Sequence, residues 1–199
     1  MRTFYFDEIL IMQLYIAKHI CRTFATLEEI VAAYRSLHID YPKFFKMDAL
    51  SKLGFLAAEM IFKDDENRFT PREDCAIICF NRSASLDIDT QYETTIADNE
   101  NYFPSPSLFV YTLPNIVAGE IAIRNKFVGE TSFYICNKFD VCYMTEIVEK
   151  AFYDTVTQSV LCAWIENFEN THEVCMFLIE KDGSMEFSEQ NVQKLYNNK

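Results

Sequence analysis

The stretch Pro104–Asp140, PSPSLFVYTLPNIVAGEIAIRNKFVGETSFYICNKFD, decides how this chain is read. Pro104 and Pro106 mark a turn, and helical segments follow at Ser107–Leu113 and Asn115–Lys126, interrupted by Pro114, which has no backbone N–H to donate. Gly129 supplies a tight turn. Thr131–Cys136, TSFYIC, is uncharged and rich in β-branched and aromatic residues, the composition of a strand. An amphipathic helix then runs from Asp140 to Tyr153.

Further elements flank this stretch on both sides. Cys75–Phe80, CAIICF, has no polar residue and reads as a central strand covered on both faces. Ser159–Ile165 and Val174–Glu180 are two apolar strands joined by an acidic loop, Glu166–Glu173, too short for a crossover helix and therefore antiparallel. Towards the start of the chain, Arg2–Gln13 reads as a strand and Thr26–Leu37 as a helix opened by the capping box Thr26-x-x-Glu29. Met47–Phe62 carries Leu50, Leu53, Ala57 and Ile61 at helical spacing. Thr70-Pro-Arg-Glu73 reads as one helical turn, Asp89–Ile96 as a short helix, and Ser188–Tyr196 as a terminal helix. The expectation is an α/β protein of βαβαβαββ order: a layered mixed sheet with helices on both faces, one domain over residues 1–199, and residues 182–199 as a loosely packed tail.

With 18 basic against 30 acidic residues the net charge is −12, which argues against nucleic acid, because phosphate neutralisation needs clustered Lys and Arg. The nearest basic cluster is Lys43, Lys46 and Lys52. Seven cysteines, an odd number lying largely in apolar runs, read as buried thiols of a reducing compartment. No run of about 18 apolar residues occurs, so the expectation is a cytoplasmic chain without membrane association. Four glycines offer no phosphate-binding loop, and Asp87 and Asp89, without a third ligand, read as a solvated helix start. No cofactor and no metal are therefore expected.

The spacing of Asn115, Gly119, Ile121-Ala-Ile123 and Gly129, after Pro104-Ser-Pro-Ser, resembles the run that leads to the nucleophilic cysteine of β-ketoacyl-carrier-protein synthases. The resemblance extends from Tyr41-Pro-Lys-Phe-Phe-Lys-Met-Asp48 to about Glu180. It implies the N-terminal half of a thiolase-like fold, with Gly119 serving close helix packing. It also implies a nucleophile at the mouth of a helix, where the dipole and free N–H groups favour a thiolate and an oxyanion. Counted without a gap from Gly129, that position is Lys138. The histidines that complete the family's chemistry belong to the half that has no counterpart here.

Cys136 is the nearest thiol, readable as an acyl acceptor or as a plain strand cysteine. His172, His19 and His38 are the available bases. The preferred expectation is a catalytically incomplete, ketosynthase-like partner in fatty-acid or polyketide-type, for example polyene, biosynthesis. It would dimerise with itself or with a complete ketosynthase through Phe109, Asn115, Ile121, Ile123, Thr131, Phe133 and Ile135. Two alternatives stay open: a small acyltransferase or thioesterase using Cys136 with His172 or His19, and a non-catalytic module holding an acyl or pantetheine group in a groove near Asn115 and Phe139. Acyl carrier protein is a further expected partner.

Overall fold

The computed structural model describes residues 12–169 and 171–199. In chain order the elements are strand β1 (Tyr15–Phe24), helix α1 (Leu27–Ser36), a 3-10 turn (Pro42–Lys46), helix α2 (Ala49–Ile61), strand β2 (Cys75–Asn81) and helix α3 (Leu86–Glu93). They continue with the short helix α4 (Pro106–Phe109) and a 3-10 turn (Val110–Thr112), helix α5 (Ile116–Asn125), strand β3 (Thr131–Ile135) and helix α6 (Val141–Ala151). Strands β4 (Ser159–Phe168), β5 (Thr171–Glu180) and β6 (Met185–Glu186) and helix α7 (Glu189–Asn197) complete the chain. One mixed sheet runs in the order β3-β2-β4-β5-β1-β6. β2 is parallel to β3 and β4, whereas β5 is antiparallel to β4 and β1.

Alternation along the central strands sorts the core into two layers. Ile77, Leu161, Ile165, Met176 and Leu178 face α1, α2 and α5. Ile78, Val160, Trp164, Phe177 and Ile179 face α6 and α7. The expected α/β order with helices on both faces is the observed one.

Helix α2 is capped by Asp48, which accepts the N–H of Ser51 at 3.1 Å, and it is buried on nearly every side, including the polar Lys52 and Glu59. It reaches the sheet closely because residue 54 is glycine. A Cβ there would lie 2.4 Å from Val117 Cγ2 of α5 and 2.8 Å from Ile165 Cδ1 of β4. At the far end of the helix, the carboxylate of Glu59 accepts from Arg68 and, at 2.9 Å, from Arg124. Arg124 lies over the rings of Tyr41 and Phe69, at 4.8 and 4.7 Å, and Arg68 lies over Phe69 at 4.8 Å.

Several sequence expectations are corrected. The Arg2–Gln13 strand lies almost wholly outside the described residues, and the first described strand, β1, falls on Tyr15–Phe24, so His19 sits within a strand. A register shift between Ile16 and Lys18 in the pairing with β5 displaces the apolar period, which hides the strand from a pattern reading. Thr70–Glu73 forms no helical turn: Arg72 accepts from Val128 and donates to Lys126, bridging to the end of α5. The acidic loop is instead strand up to the closing pair Phe168 and Thr171. Glu166 is satisfied there by the Arg82 N–H and the Ser83 hydroxyl, and Glu173 by Trp164 Nε1 and the Tyr196 hydroxyl. Gly119 is not tightly packed, since an added Cβ would meet nothing within 4 Å. Of the cysteines, Cys21 and Cys175 face each other across β1 and β5 with Cα atoms 4.0 Å apart and form a disulfide, whereas Cys75, Cys79, Cys136, Cys142 and Cys162 are free.

Two substitutions test this core by denaturant unfolding. Gly54→Ala overpacks the α2 crossing and is expected to cost about 1–3 kcal/mol. Glu59→Gln leaves two part-buried guanidinium groups without their anion and is expected to cost about 3–5 kcal/mol, the larger loss of the two. Wild-type midpoints in both variants would mean that neither contact carries stability.

Candidate functional site

β3 ends at Ile135, and the N–H of Cys136 continues its ladder to Asn81 O at 2.7 Å. The chain bends through Asn137 and Lys138 before Asp140 caps α6 by accepting the Tyr143 N–H at 3.1 Å. Lys138 is exposed at the bend. Phe139 turns inward, with its ring 5.8 Å from Trp164 and stacked 3.7 Å from Tyr196 of α7. A groove of 250 Å³ runs over this bend, bordered by Arg82, Lys138, Glu166 and Glu173. The second carboxylate is also covered by Lys199, at 2.6 Å.

The chemistry available at this mouth is poor. Lys138 stands where the resemblance implies a nucleophile, and an ammonium group near a positive helix end is unfavourable. The thiol of Cys136 is half-buried, and burial, followed by the Asp140 carboxylate, pushes its pKa up, which favours the protonated and unreactive form. Burial likewise pushes Cys75 to about 11 and Cys79 to about 12.

Nor does the fold supply Cys136 with a histidine. Cys136 packs against the hydrophobic layer on the α6/α7 side of the sheet. His172 stands in the β5 row of Val174, Met176 and Leu178, which faces α1, α2 and α5. His19 is exposed in the middle of β1, and His38 is exposed just after α1. Asn115 and Phe139, expected to share a groove, are separated in the same way: Asn115 is exposed at the start of α5 and Phe139 lies beneath α7. The three lysines do not make an exposed patch, because Lys43 is paired with Glu120 at 2.6 Å and Lys52 is buried.

The residues expected at an interface divide differently. Ile121 is fully buried in the core, and Phe133 packs partly against the same layer. Phe109, Asn115, Ile123, Thr131 and Ile135 are exposed. Asn115, Gly119 and Ile123 lie four residues apart along one face of α5, and Ile123 and Ile135 are 64% and 60% exposed. β3 has a strand neighbour on one side only, β2, among the described residues. Val110, Leu113 and Val128 add exposed apolar side chains. Asn167 was missed altogether, and Asp87, read as part of a solvated helix start, is its partner: Asn167 Oδ1 meets His172 Nδ1 at 2.7 Å, and Asn167 Nδ2 donates to Asp87 at 3.3 Å. Nothing in the one-dimensional pattern brings residues 80 positions apart together.

No protein-family model matches the chain, and no curated protein matches it. Solved structures do. The fold is similar to the ishigamide ketosynthase/chain length factor, with a TM-score of 0.67 at 14% identity over 84% of this chain and 62% of that one. It is also similar to a ketosynthase in complex with its chain length factor from Xenorhabdus doucetiae, with a TM-score of 0.63 at 14% identity over 93% of this chain and 90% of that one. A third likeness is to a type II polyketide synthase acyl-carrier protein in complex with its ketosynthase bound to the hexaketide, with a TM-score of 0.60 at 13% identity over 85% and 62%. The chain thus spans about three-fifths of the first and third of these and most of the second. The protein has the thiolase-like fold of ketosynthase and chain length factor proteins, and at this identity the likeness is one of fold.

Alkylation kinetics measure the state of the thiol directly. The rate of iodoacetamide addition at Cys136, followed by peptide mass spectrometry, is expected to keep rising with pH beyond the ordinary thiol value of about 8.5. A plateau below pH 8 would identify an activated nucleophile instead.

Proposed function

We propose that this chain is a catalytically incomplete, ketosynthase-like subunit that works by association, pairing through the β3 edge and the exposed face of α5. The observation that carries this reading is the uncharged edge of β3, open among the described residues, beside the Asn115, Gly119 and Ile123 row. An unpaired strand edge flanked by apolar side chains is a template for another strand. The absent side chain at Gly119 leaves space for a partner's backbone to come close to α5. The partner is a complete ketosynthase or a second copy of this chain, in a polyketide-type system. The solved structures of similar fold support the first choice, because two of them pair a ketosynthase with a chain length factor.

The enzyme alternative has less support. Cys136 lies across the sheet from His172, and its thiol is held protonated by burial and Asp140.

The test is light scattering on the purified chain, alone and co-expressed with a candidate ketosynthase. A dimer or a one-to-one complex is expected. Ile135→Lys and Ile123→Glu, both at exposed positions, are expected to dissociate it at least tenfold while leaving the thermal midpoint near wild type. A monomer that ignores every ketosynthase offered, or a complex indifferent to both substitutions, would remove the association reading.

A further inference from the structure

A groove of 430 Å³ lies where the end of α1, the end of α2 and the loop after α2 meet Arg124 of α5, and its volume is that of a small-molecule site. Leu37, Ile39 and Phe69 give it an apolar wall. The rest of its lining is charged, in two sets of different kind.

The floor is the cluster of Glu59 with Arg68 and Arg124. The Glu59 side chain is 1% exposed; both guanidinium groups bond to its Oε1, and its Oε2 accepts nothing among the described residues. Arg68, whose side chain is 10% exposed, gives its Nε–H to Asn125 Oδ1 at 2.9 Å and keeps Nη1 free. Arg124 uses Nε alone, so both its Nη groups are free. One carboxylate facing two guanidinium groups leaves positive charge in excess. The rings of Tyr41 and Phe69 hold the guanidinium planes in place, which suits them to grip a second carboxylate.

The rim has the opposite balance. Asp40, Asp65 and Glu66 stand there against Lys63, and none of the four joins an ion pair among the described residues. Asp65 accepts the Asn67 N–H through Oδ1 at 2.9 Å, and its other oxygen is open. Two residues of the wall region also hold left-handed backbone without being glycine: His38, between Leu37 and Ile39, at φ 53°, and Phe69 at φ 71°. Strain of this kind persists only where the surrounding structure enforces it, and it gathers at ligand sites.

A ligand that answers both sets carries a carboxylate, an ammonium group and an apolar body. We propose that this groove binds a free α-amino acid with an apolar side chain. Its carboxylate is received by the free Nη groups of Arg124 and Arg68, its ammonium group is turned towards Glu59 and the rim carboxylates, and its side chain lies against Leu37, Ile39 and Phe69. The site is built from the ends of α1, α2 and α5 and does not depend on pairing at β3.

Isothermal titration of the full chain with L-leucine and, separately, L-phenylalanine tests the site. N-acetyl-L-leucine, which lacks the ammonium group, and L-leucinamide, which lacks the carboxylate, are the controls. One-to-one saturable binding of at least one amino acid is expected, with both blocked forms at least tenfold weaker. Arg124→Met is expected to weaken binding at least tenfold, as is the combined rim variant Asp40→Asn, Asp65→Asn and Glu66→Gln, whereas Lys150→Met, on the other side of the sheet, leaves it unchanged. Circular dichroism checks folding, and should Arg124→Met fail to fold, the rim variant carries the comparison. The proposal is overturned if neither amino acid saturates at one per chain, if either blocked form binds as tightly, or if the folded groove variants bind as wild type does.

Discussion

The close approach of α2 to the sheet at Gly54 is the contact from which the rest of the architecture follows. With no side chain at that position, Val117 and Ile165 occupy the space a Cβ would need, and α2, α5 and β4 meet at one point. The helix is thereby surrounded: the sheet lies beneath it, α5 beside it, and α1 with its following 3-10 turn against it. Such burial rewards an almost wholly apolar helix, and it places strict conditions on the polar groups that α2 does carry.

Those conditions are met at the two ends of the helix. Near its start, Lys52 reaches the carbonyl of Met47, and Asp48 serves as the cap. Near its end, Glu59 is met by Arg68 and Arg124, whose guanidinium groups lie over Phe69 and, for Arg124, Tyr41. This charged cluster ties the loop after α2 to the C-terminal end of α5. Its outer surface borders a groove of 430 Å³ lined by both acidic and basic side chains.

The sheet divides the molecule's chemistry. On one face, the end of β3 leads into Lys138, Phe139 and the stacked Tyr196, where a protonated Cys136 has no histidine. On the other, His172 is oriented by Asn167 and Asp87 over a cavity that also holds Lys52. At the edge, β3 and the outer row of α5 expose Ile135 and Ile123. In a thiolase-like fold the frame and the reactive groups rest on different residues, so the frame does not by itself carry the chemistry.

Much of the fold was legible in the sequence because it depends on local rules. The apolar run Cys75–Phe80, the period of Leu50, Leu53, Ala57 and Ile61, and the cap at Thr26 each specify an element through its own backbone and nearest turn. What was not legible depends on tertiary pairing. A register shift moved the apolar period of β1, cross-strand partners turned the run from Glu166 to Glu173 from loop into strand, and Cys21 met Cys175 across 154 residues. The candidate sites follow the same division. Lys138 and the uncharged β3 could be read from spacing, but only the alternation of strands in the assembled sheet decided that Cys136 and His172 face opposite layers, since a strand side chain's direction acquires meaning only once both faces are covered.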